Sequence, residues 1–457
     1  MSKRQDELLN TADRVVDLAT QGGASVAEVA VQTGAHLTTK VRMREAELLE
    51  EAGSRSIGLR VMVGQQVAVT YTSDTSSGGL AKLVEDALEL AALSQPDEFA
   101  GPPDPALLST SDQHAQLDVF DPTMRNFGAS EAMARAKDAE AAALAYDERV
   151  VNSEGATFSR VDGARALVTS GGFRGATEGT YASLVVKPVA QDEGDKKRSG
   201  FHWSARRHLS ELDSEHAVGK EAARRTLRQL GARKIKTQEA PVVFDPDAGR
   251  SILGLFAGCI LGGAIWRRSS YLVERVDTQV ASDLVTIVDD PLVPKAPGSR
   301  PFDGEGLLSR RTTVVEQGVL KSYLLDSYSG RKLGLESTAS AARGSSGGVG
   351  PTTTNFIMQA GTIGATELID DTESGLYVTD MMGFGFNAVT GDFSRGATGF
   401  WIEKGTLAYP VSEVTISLNL NDLLQRIDSV ADDLDLKTAT AVPTFRVSSM
   451  TVAGSDA

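Results

Sequence analysis

A single cysteine, Cys259, stands in 457 residues. That excludes an internal disulfide and any cysteine-rich zinc site. Histidine is nearly as scarce: His36, His114, His202, His208 and His216, with none after residue 216. No two of them are three or four residues apart, and no HExxH occurs. A zinc-binding helix needs two imidazoles on one face, so this chain cannot build that site alone. A Ser–His–Asp device in the C-terminal half would have to take its histidine from the N-terminal half. No run of about 18 apolar residues occurs, so no membrane-spanning helix is expected. The start, Ser2-Lys3-Arg4-Gln5-Asp6-Glu7, lacks the apolar core of a secretory signal, so a cytoplasmic location is expected.

Positive charge is also in deficit. Lysine and arginine number 46 against 61 acids, a formal charge of −15. That argues against broad nucleic-acid binding, which needs a positive surface. The exception is residues 196–236, with Lys196-Lys197-Arg198, Arg206-Arg207, Arg224-Arg225 and Arg233-Lys234. The expectation is a solvated helix face; a docking surface for an acidic partner is the alternative.

What is present divides in two. Residues 5–21, 80–93, 130–146 and 214–230 have the 3.6-residue period of amphipathic or alanine-rich helices. Residues 29–31, 38–43, 57–71 and 150–189 alternate as strands, with turns at Gly64-Gln65-Gln66 and Gly171-Gly172. This order suggests a mixed sheet carrying helices. Beyond residue 235 helices become rare and glycine frequent. One apolar helix is expected over 247–265 and a late one over 421–430. Short strands fall at 285–288, 311–316, 319–325, 376–379, 400–403, 411–418 and 445–452, the pattern of an antiparallel sheet or barrel. The predicted class is α+β: an N-terminal mixed α/β domain (1–235) followed by a C-terminal antiparallel, barrel-like β domain (236–457).

The densest polar cluster lies in residues 381–401, which hold Gly383, Gly385, Gly391, Gly396 and Gly399 around Thr390, Asp392, Ser394 and Arg395. Glycine this frequent marks sharp turns or close approach of another backbone. A glycine-rich inter-strand loop is expected. Gly391, Asp392, Ser394, Arg395 and Gly396 are its candidate contacts to a peptide or partner, with Asp392 and Arg395 bracing each other.

Other motifs fail on context. Gly344-Ser345-Ser346-Gly347-Gly348 spells GxSxG, but no helix follows to make a nucleophile elbow. Residues 383–388 spell GxGxxA after a strand, again without the helix a pyrophosphate needs. Asp289-Asp290, Asp370-Asp371 and Asp432-Asp433 read as turn or helix-edge charges, although spatial carboxylate pairs stay open.

Four segments nevertheless stand out together: Gly262-Gly263-Ala264-Ile265-Trp266-Arg267-Arg268-Ser269-Ser270, residues 324–335 (LLDSYSGRKLGL), residues 390–401 (TGDFSRGATGFW) and Tyr409-Pro410-Val411-Ser412-Glu413-Val414-Thr415-Ile416. In this order the chain resembles the PmbA/TldE branch of the TldD/PmbA family, from its first helix to its last strand. The resemblance implies a subunit of a cytoplasmic zinc metalloprotease that degrades or processes peptides. A TldD-like partner carries the HExxxH zinc helix, and extended peptide reaches the metal through a shared chamber. By the same resemblance, Leu253 and Gly258 stand where the partner's two histidines would be, and Gly254 where its glutamate would be. Neither residue type can ligate a metal or move a proton through its side chain. The implied role is therefore a non-catalytic, chamber-forming, peptide-holding subunit, with zinc only in the TldD-like partner and self-association open. The alternatives are an independent hydrolase with an unidentified site, or a regulatory binding protein without proteolysis.

Overall fold

The computed structural model describes residues 2–454. Helix α1 (Lys3–Gln21) begins at a capping box, in which the Ser2 hydroxyl accepts the Gln5 N–H and the Gln5 side chain accepts the Ser2 N–H. Its expected stripe, Leu8, Ala12, Val15, Val16 and Ala19, is buried. Strands β1 (Val26–Arg42), β2 (Glu45–Val63) and β3 (Gln66–Thr72) form a meander, followed by α2 (Ser77–Leu93) and α3 (Ala129–Leu144). Then come β4 (Val150–Thr169), β5 (Arg174–Gln191), β6 (Lys197–Ser199), β7 (His202–Arg206) and α4 (Glu215–Leu227). The seven strands form one sheet in the order β3-β2-β1-β4-β5, with β6 and β7 both on β5.

Every pairing in this sheet is antiparallel, which corrects the mixed sheet expected from the element order. The reason is local: β1–β2–β3 and β4–β5 are joined by short turns, and only antiparallel neighbours can be. The sequence pattern also understated β2. Residues 45–56 are acidic and mostly exposed, yet they continue the strand, paired to β1 alone. The β1–β2 turn puts Met43 and Arg44 at φ of 50° and 70°. The buried Glu140 carboxylate of α3 accepts both their N–H groups, at 2.9 and 2.6 Å.

Strand parity decides what lies on each face. Val29, Val31, Leu37 and Val41 of β1 point the same way as Ala156, Phe158, Ala164 and Ala166 of β4. Helices α1 and α2 cover one end of that face, and α3 and α4 the other. The opposite face has no helix of its own.

The second half supplies its cover. Its elements are β8 (Gln238–Phe244), α5 (Pro246–Ile260), α6 (Gly262–Trp266), β9 (Ile287–Asp289), β10 (Thr312–Glu316), β11 (Val319–Leu320), α7 (Ser327–Leu333), β12 (Ala341–Arg343) and β13 (Val349–Pro351). They continue with β14 (Phe356–Met358), α8 (Ala365–Asp370), β15 (Ser374–Met382), β16 (Asp392–Glu403), β17 (Thr406–Asn419), α9 (Leu420–Gln425), β18 (Ile427–Val430), β19 (Thr440–Ala441) and β20 (Phe445–Ala453). Strands β8-β15-β16-β17-β20 close on themselves, since β20 pairs with both β8 and β17. The α+β class and the barrel-like second half are as expected; only β8–β15 departs from antiparallel pairing in the ring. Two expected helices change. The one over 247–265 breaks at Leu261, which bridges to Leu324 instead. The one over 421–430 ends at Gln425, because Ile427 and Val430 join β18 against β20.

The halves meet through a buried ion triad. Oε2 of Glu28, on the open face of β1, accepts from Arg60 of β2 at 2.9 Å and from Arg343 of β12 at 2.8 Å. Gly58 of β2 lies directly under Gly347: a Cβ there would meet the Gly347 nitrogen at 2.4 Å. The basic stretch also turns inward. Arg225 reaches Asp247 at 3.4 Å, Arg206 reaches Asp435 at 3.4 Å, and Lys234 reaches Glu413 at 2.7 Å. Much of the expected solvated face therefore docks on acids of the chain's own second half.

Burial alone would raise the Glu28 pKa, but Arg343 and then Arg60 outweigh it and hold the carboxyl below its ordinary value of 4.5. A lowered folded-state pKa gives stability that is present above 4.5 and lost as pH falls through the folded value. Arg343→Met, which leaves Glu28 sealed against one cation, is expected to cost roughly 3–5 kcal/mol at neutral pH. Urea denaturation checks this, and the gap between wild type and variant should shrink in acid as Glu28 protonates.

Candidate functional site

Helix α5 is positioned by β8 and by its own first turn. Asp245 caps it by accepting the Asp247 N–H at 2.8 Å, and Pro246 supplies the fixed φ of a first helical residue. One face, with Ile252, Leu253, Phe256 and Ile260, packs into the core shared with Phe244, Leu376, Phe393 and Ala397 of the barrel. Gly249 is needed there, since a Cβ would meet Phe445 at 2.7 Å. The outer face is different. Ser251, Gly254, Leu255 and Gly258 follow the i, i+3, i+4, i+7 spacing of one stripe. Both Gly254 and Gly258 are exposed, and a Cβ on either would meet nothing within 4 Å. Mid-helix glycine costs about 1 kcal/mol relative to alanine, and no contact within this chain requires it here.

A groove of about 580 Å³ runs beside this stripe, lined by Asp247, Arg250, Ser251, Asp380, Met381 and residues 438–440. Burial raises the pKa of Asp380 above its ordinary value, with Asp247 adding to the effect and Arg250 opposing it. Arg395 of β16 donates from Nη1 to the Ser251 Oγ at 2.9 Å, and its Nε is buried without a partner among the described residues.

The five residues singled out in the glycine-rich stretch are thus divided. The loop proper is shorter than expected, residues 383–391. Asp392, Ser394, Arg395 and Gly396 belong to β16, because a glycine-containing segment with partners on both sides still completes a ladder. The expected Asp392–Arg395 brace does not form: strand alternation sends Arg395 toward α5, with Phe393 and Ala397, and Asp392 and Ser394 the other way. Asp392 instead accepts from the Thr390 hydroxyl at 2.6 Å and from the Asn419 amide at 3.2 Å, which hold its pKa below the ordinary value. Gly391 has φ of 83° and closes the loop. Gly396 is in neither a tight nor a strained position. Phe384 at the loop tip is 98% exposed. Ser251, Arg250 and Asp380 escaped the sequence reading; the small-residue period along α5 was the signal available for the first.

The three residues of the degenerate metal position do not share a surface. Leu253 is buried in the core, whereas Gly254 and Gly258 face outward. None offers a donor atom, and the described residues contain no cluster of three or more His, Cys, Asp or Glu able to hold a metal ion. The site residues therefore do not fit a catalytic zinc. GxSxG fails as well: residues 344–348 turn between β12 and β13, with no helix after them to make a nucleophile elbow. The Ser109–His114 contact of 3.0 Å is not a nucleophile–base pair either. The Ser109 hydroxyl donates its one proton to the Gly306 carbonyl at 3.0 Å, so it can only accept from the histidine.

Comparison with known proteins places this geometry. Family models for the PmbA/TldA metallopeptidase match in three consecutive pieces: domain 1 over residues 27–91, the central domain over 124–230 and the C-terminal domain over 237–454. A metalloprotease PmbA homolog of Haemophilus influenzae is 34% identical over 455 residues, covering 99% of this chain and 98% of that protein. The chain belongs to the PmbA/TldD family, in its PmbA/TldE branch. A metalloprotease TldD homolog from the same organism is less similar, 25% identical over 84% of this chain and 80% of its own length. Among solved structures, a candidate modulator of DNA gyrase from Bacteroides thetaiotaomicron superposes with a TM-score of 0.91 at 25% identity, covering 98% of this chain and 99% of that one. That structure thus shares the architecture of this chain over nearly its whole length.

The open glycines of α5 generate a test within this chain alone. Gly254→Ala and Gly258→Ala together should raise stability by roughly 1–2 kcal/mol, since each removes the glycine cost without a clash. A higher urea midpoint with unchanged slope is the expected reading.

Proposed function

We propose that this chain is the non-catalytic subunit of a cytoplasmic zinc metalloprotease that processes peptides and unfolded proteins, together with a TldD-like subunit that holds the zinc. The observation that carries this reading is the outer face of α5: a stripe in which Ser251 lines a groove and Gly254 and Gly258 lie exposed, with no metal donor on it. Two helix glycines that this chain does not need are accounted for if another backbone lies against them. An extended peptide suits that approach, because main-chain hydrogen bonds give affinity tolerant of side-chain sequence. Arg395, fixed on Ser251, and the carboxylates Asp247 and Asp380 provide charges along its course. The exposed Phe384 loop is a contact for the TldD-like subunit, where an apolar anchor is most effective. A chain with net charge −15 is a poor fit to nucleic acid.

The division of labour has a chemical reason. A metalloprotease depends on zinc to bring the pKa of bound water from 15.7 to about 7. This chain offers no group for that step; it contributes by holding peptide in reach, where a misplacement of about 1 Å can cost roughly 100-fold in rate.

Two outcomes are expected. Elemental analysis of the purified chain, after dialysis against a weak chelator, should find far less than one zinc per molecule. The lone chain should cleave no peptide, whereas its mixture with a TldD-like protein from the same cells should co-elute as one peak and cleave in a chelator-sensitive way. In that mixture Gly254→Ala with Gly258→Ala, or Arg395→Ala, should lower activity without removing zinc. Chelator-resistant cleavage by the lone chain would overturn the reading.

A further inference from the structure

The second half does not fill the whole open face of the N-terminal sheet. A cavity of about 340 Å³ remains between that face and residues 299–304. Its floor is a row of glycines: Gly34 of β1 is the direct cross-strand neighbour of Gly163 of β4, which in turn neighbours Gly179 of β5. None of the three has a positive φ. A Cβ on Gly34 or Gly163 would meet no atom closer than 3.4 Å. Neither backbone conformation nor close packing calls for glycine at these two positions. What the row provides is room.

Four arginines line the space: Arg165, Arg207, Arg300 and Arg343. Two are engaged by the fold. Arg207 donates to the carbonyls of Thr180, Ala296 and Pro297. Arg343 holds Glu28 and the carbonyls of Gly304 and Gly347. The other two have no hydrogen-bond acceptor among the described residues. Nε and Nη2 of Arg300 are sealed from solvent and bonded to nothing. Arg165 is exposed and lines the same cavity. The nearby acids are already occupied. Asp303 accepts three backbone N–H groups, from Glu305, Leu307 and Ala341, and Glu178 is paired with Arg125 at 2.6 Å. Asp289 accepts from the Thr354 hydroxyl and N–H.

A guanidinium sealed without acceptors, as at Arg300, is unfavourable, the more so when a second cation, Arg165, faces the same space. Asp303 and Asp289 offset the charge of Arg300 but accept no hydrogen bond from it. An oxyanion can accept one, because the planar fork of arginine matches carboxylate and phosphate with paired hydrogen bonds. We propose that this cavity is a binding site for a small organic anion whose carboxylate or phosphate group is held between Arg165 and Arg300. The volume sits at the lower end of small-molecule sites, about 300–1,000 Å³, which limits the ligand to metabolite size. Leu167, Val161 and Phe302 line the same space and suit the carbon skeleton of such a ligand.

The test is calorimetric titration of the full-length chain with succinate and, separately, with inorganic phosphate, at constant ionic strength in potassium chloride. At least one should bind with one-to-one stoichiometry. Succinate alone would identify a carboxylate ligand, phosphate alone a phosphoryl ligand, and both a site that accepts either oxyanion. Arg165→Met should weaken binding at least about tenfold, the loss of a charge-assisted bidentate contact. That residue makes no bond in the folded chain, so circular dichroism and the urea midpoint should stay unchanged. Gly163→Val keeps both arginines but fills the floor, and should abolish binding. No heat from either anion up to about 10 mM would overturn the proposal, as would binding that survives both substitutions. The readout involves neither zinc nor peptide cleavage, so it stands or fails separately from the proposed subunit role.

Discussion

The contact on which the rest depends is the carboxylate of Glu28, 1% exposed, held by one arginine from its own sheet and one from the other half of the chain. A long antiparallel sheet with helices on one face leaves the other face to be covered. Here the cover comes from a separate body built on a closed barrel. Burying an acid at the junction is unfavourable unless cations meet it, so the triad forms fully only when the halves are correctly docked. Around it the docking is backbone-close, with Gly58 against Gly347, and carbonyl-rich. Arg331 takes the carbonyls of Phe99, Gly101 and Pro102 at 2.7, 2.8 and 3.2 Å. Of residues 344–348 only Gly347 is held to glycine by this junction.

The same junction explains the cavity. Docking that stops short of complete leaves the glycine-floored cavity with its two unengaged arginines. In the second half, α5 uses one face to complete the barrel core and leaves the glycine face exposed. Stability resides in Ile252, Leu253, Phe256 and Ile260, whereas Ser251, Gly254 and Gly258 contribute almost nothing to it. Chemistry on that outer stripe can therefore change while the fold persists.

Much of the fold was legible in the residues. The 3.6-residue stripes of α1, α2, α3 and α4, the β2–β3 and β16–β17 hairpins and the β-rich second half follow from side-chain period and turn chemistry, which are local properties. Errors cluster where partners override propensity. The acidic residues 45–56 look like loop but are held straight by β1. Residues 392–399 look like loop but sit between β15 and β17. Residues 427–430 look helical but pair with β20. Glu140 gives no sign in the sequence that it will cap a hairpin nearly a hundred residues away.

The scarcity of histidine and cysteine determined by itself that no multi-imidazole helix and no thiolate cluster could form in this chain, because a missing donor atom cannot be supplied by folding. It also determined the family, through four ordered segments. Only the tertiary structure decided that Asp392 and Arg395 part company, since alternation along β16 places them on opposite sides. Only it showed that Leu253 faces the core while Gly254 and Gly258 face outward. And only it brought Arg165 and Arg300, 135 residues apart in the numbering, to one enclosed space. Composition limits which chemistry is available. Which groups meet, and which are left without a partner, is set by long-range docking that no local pattern encodes.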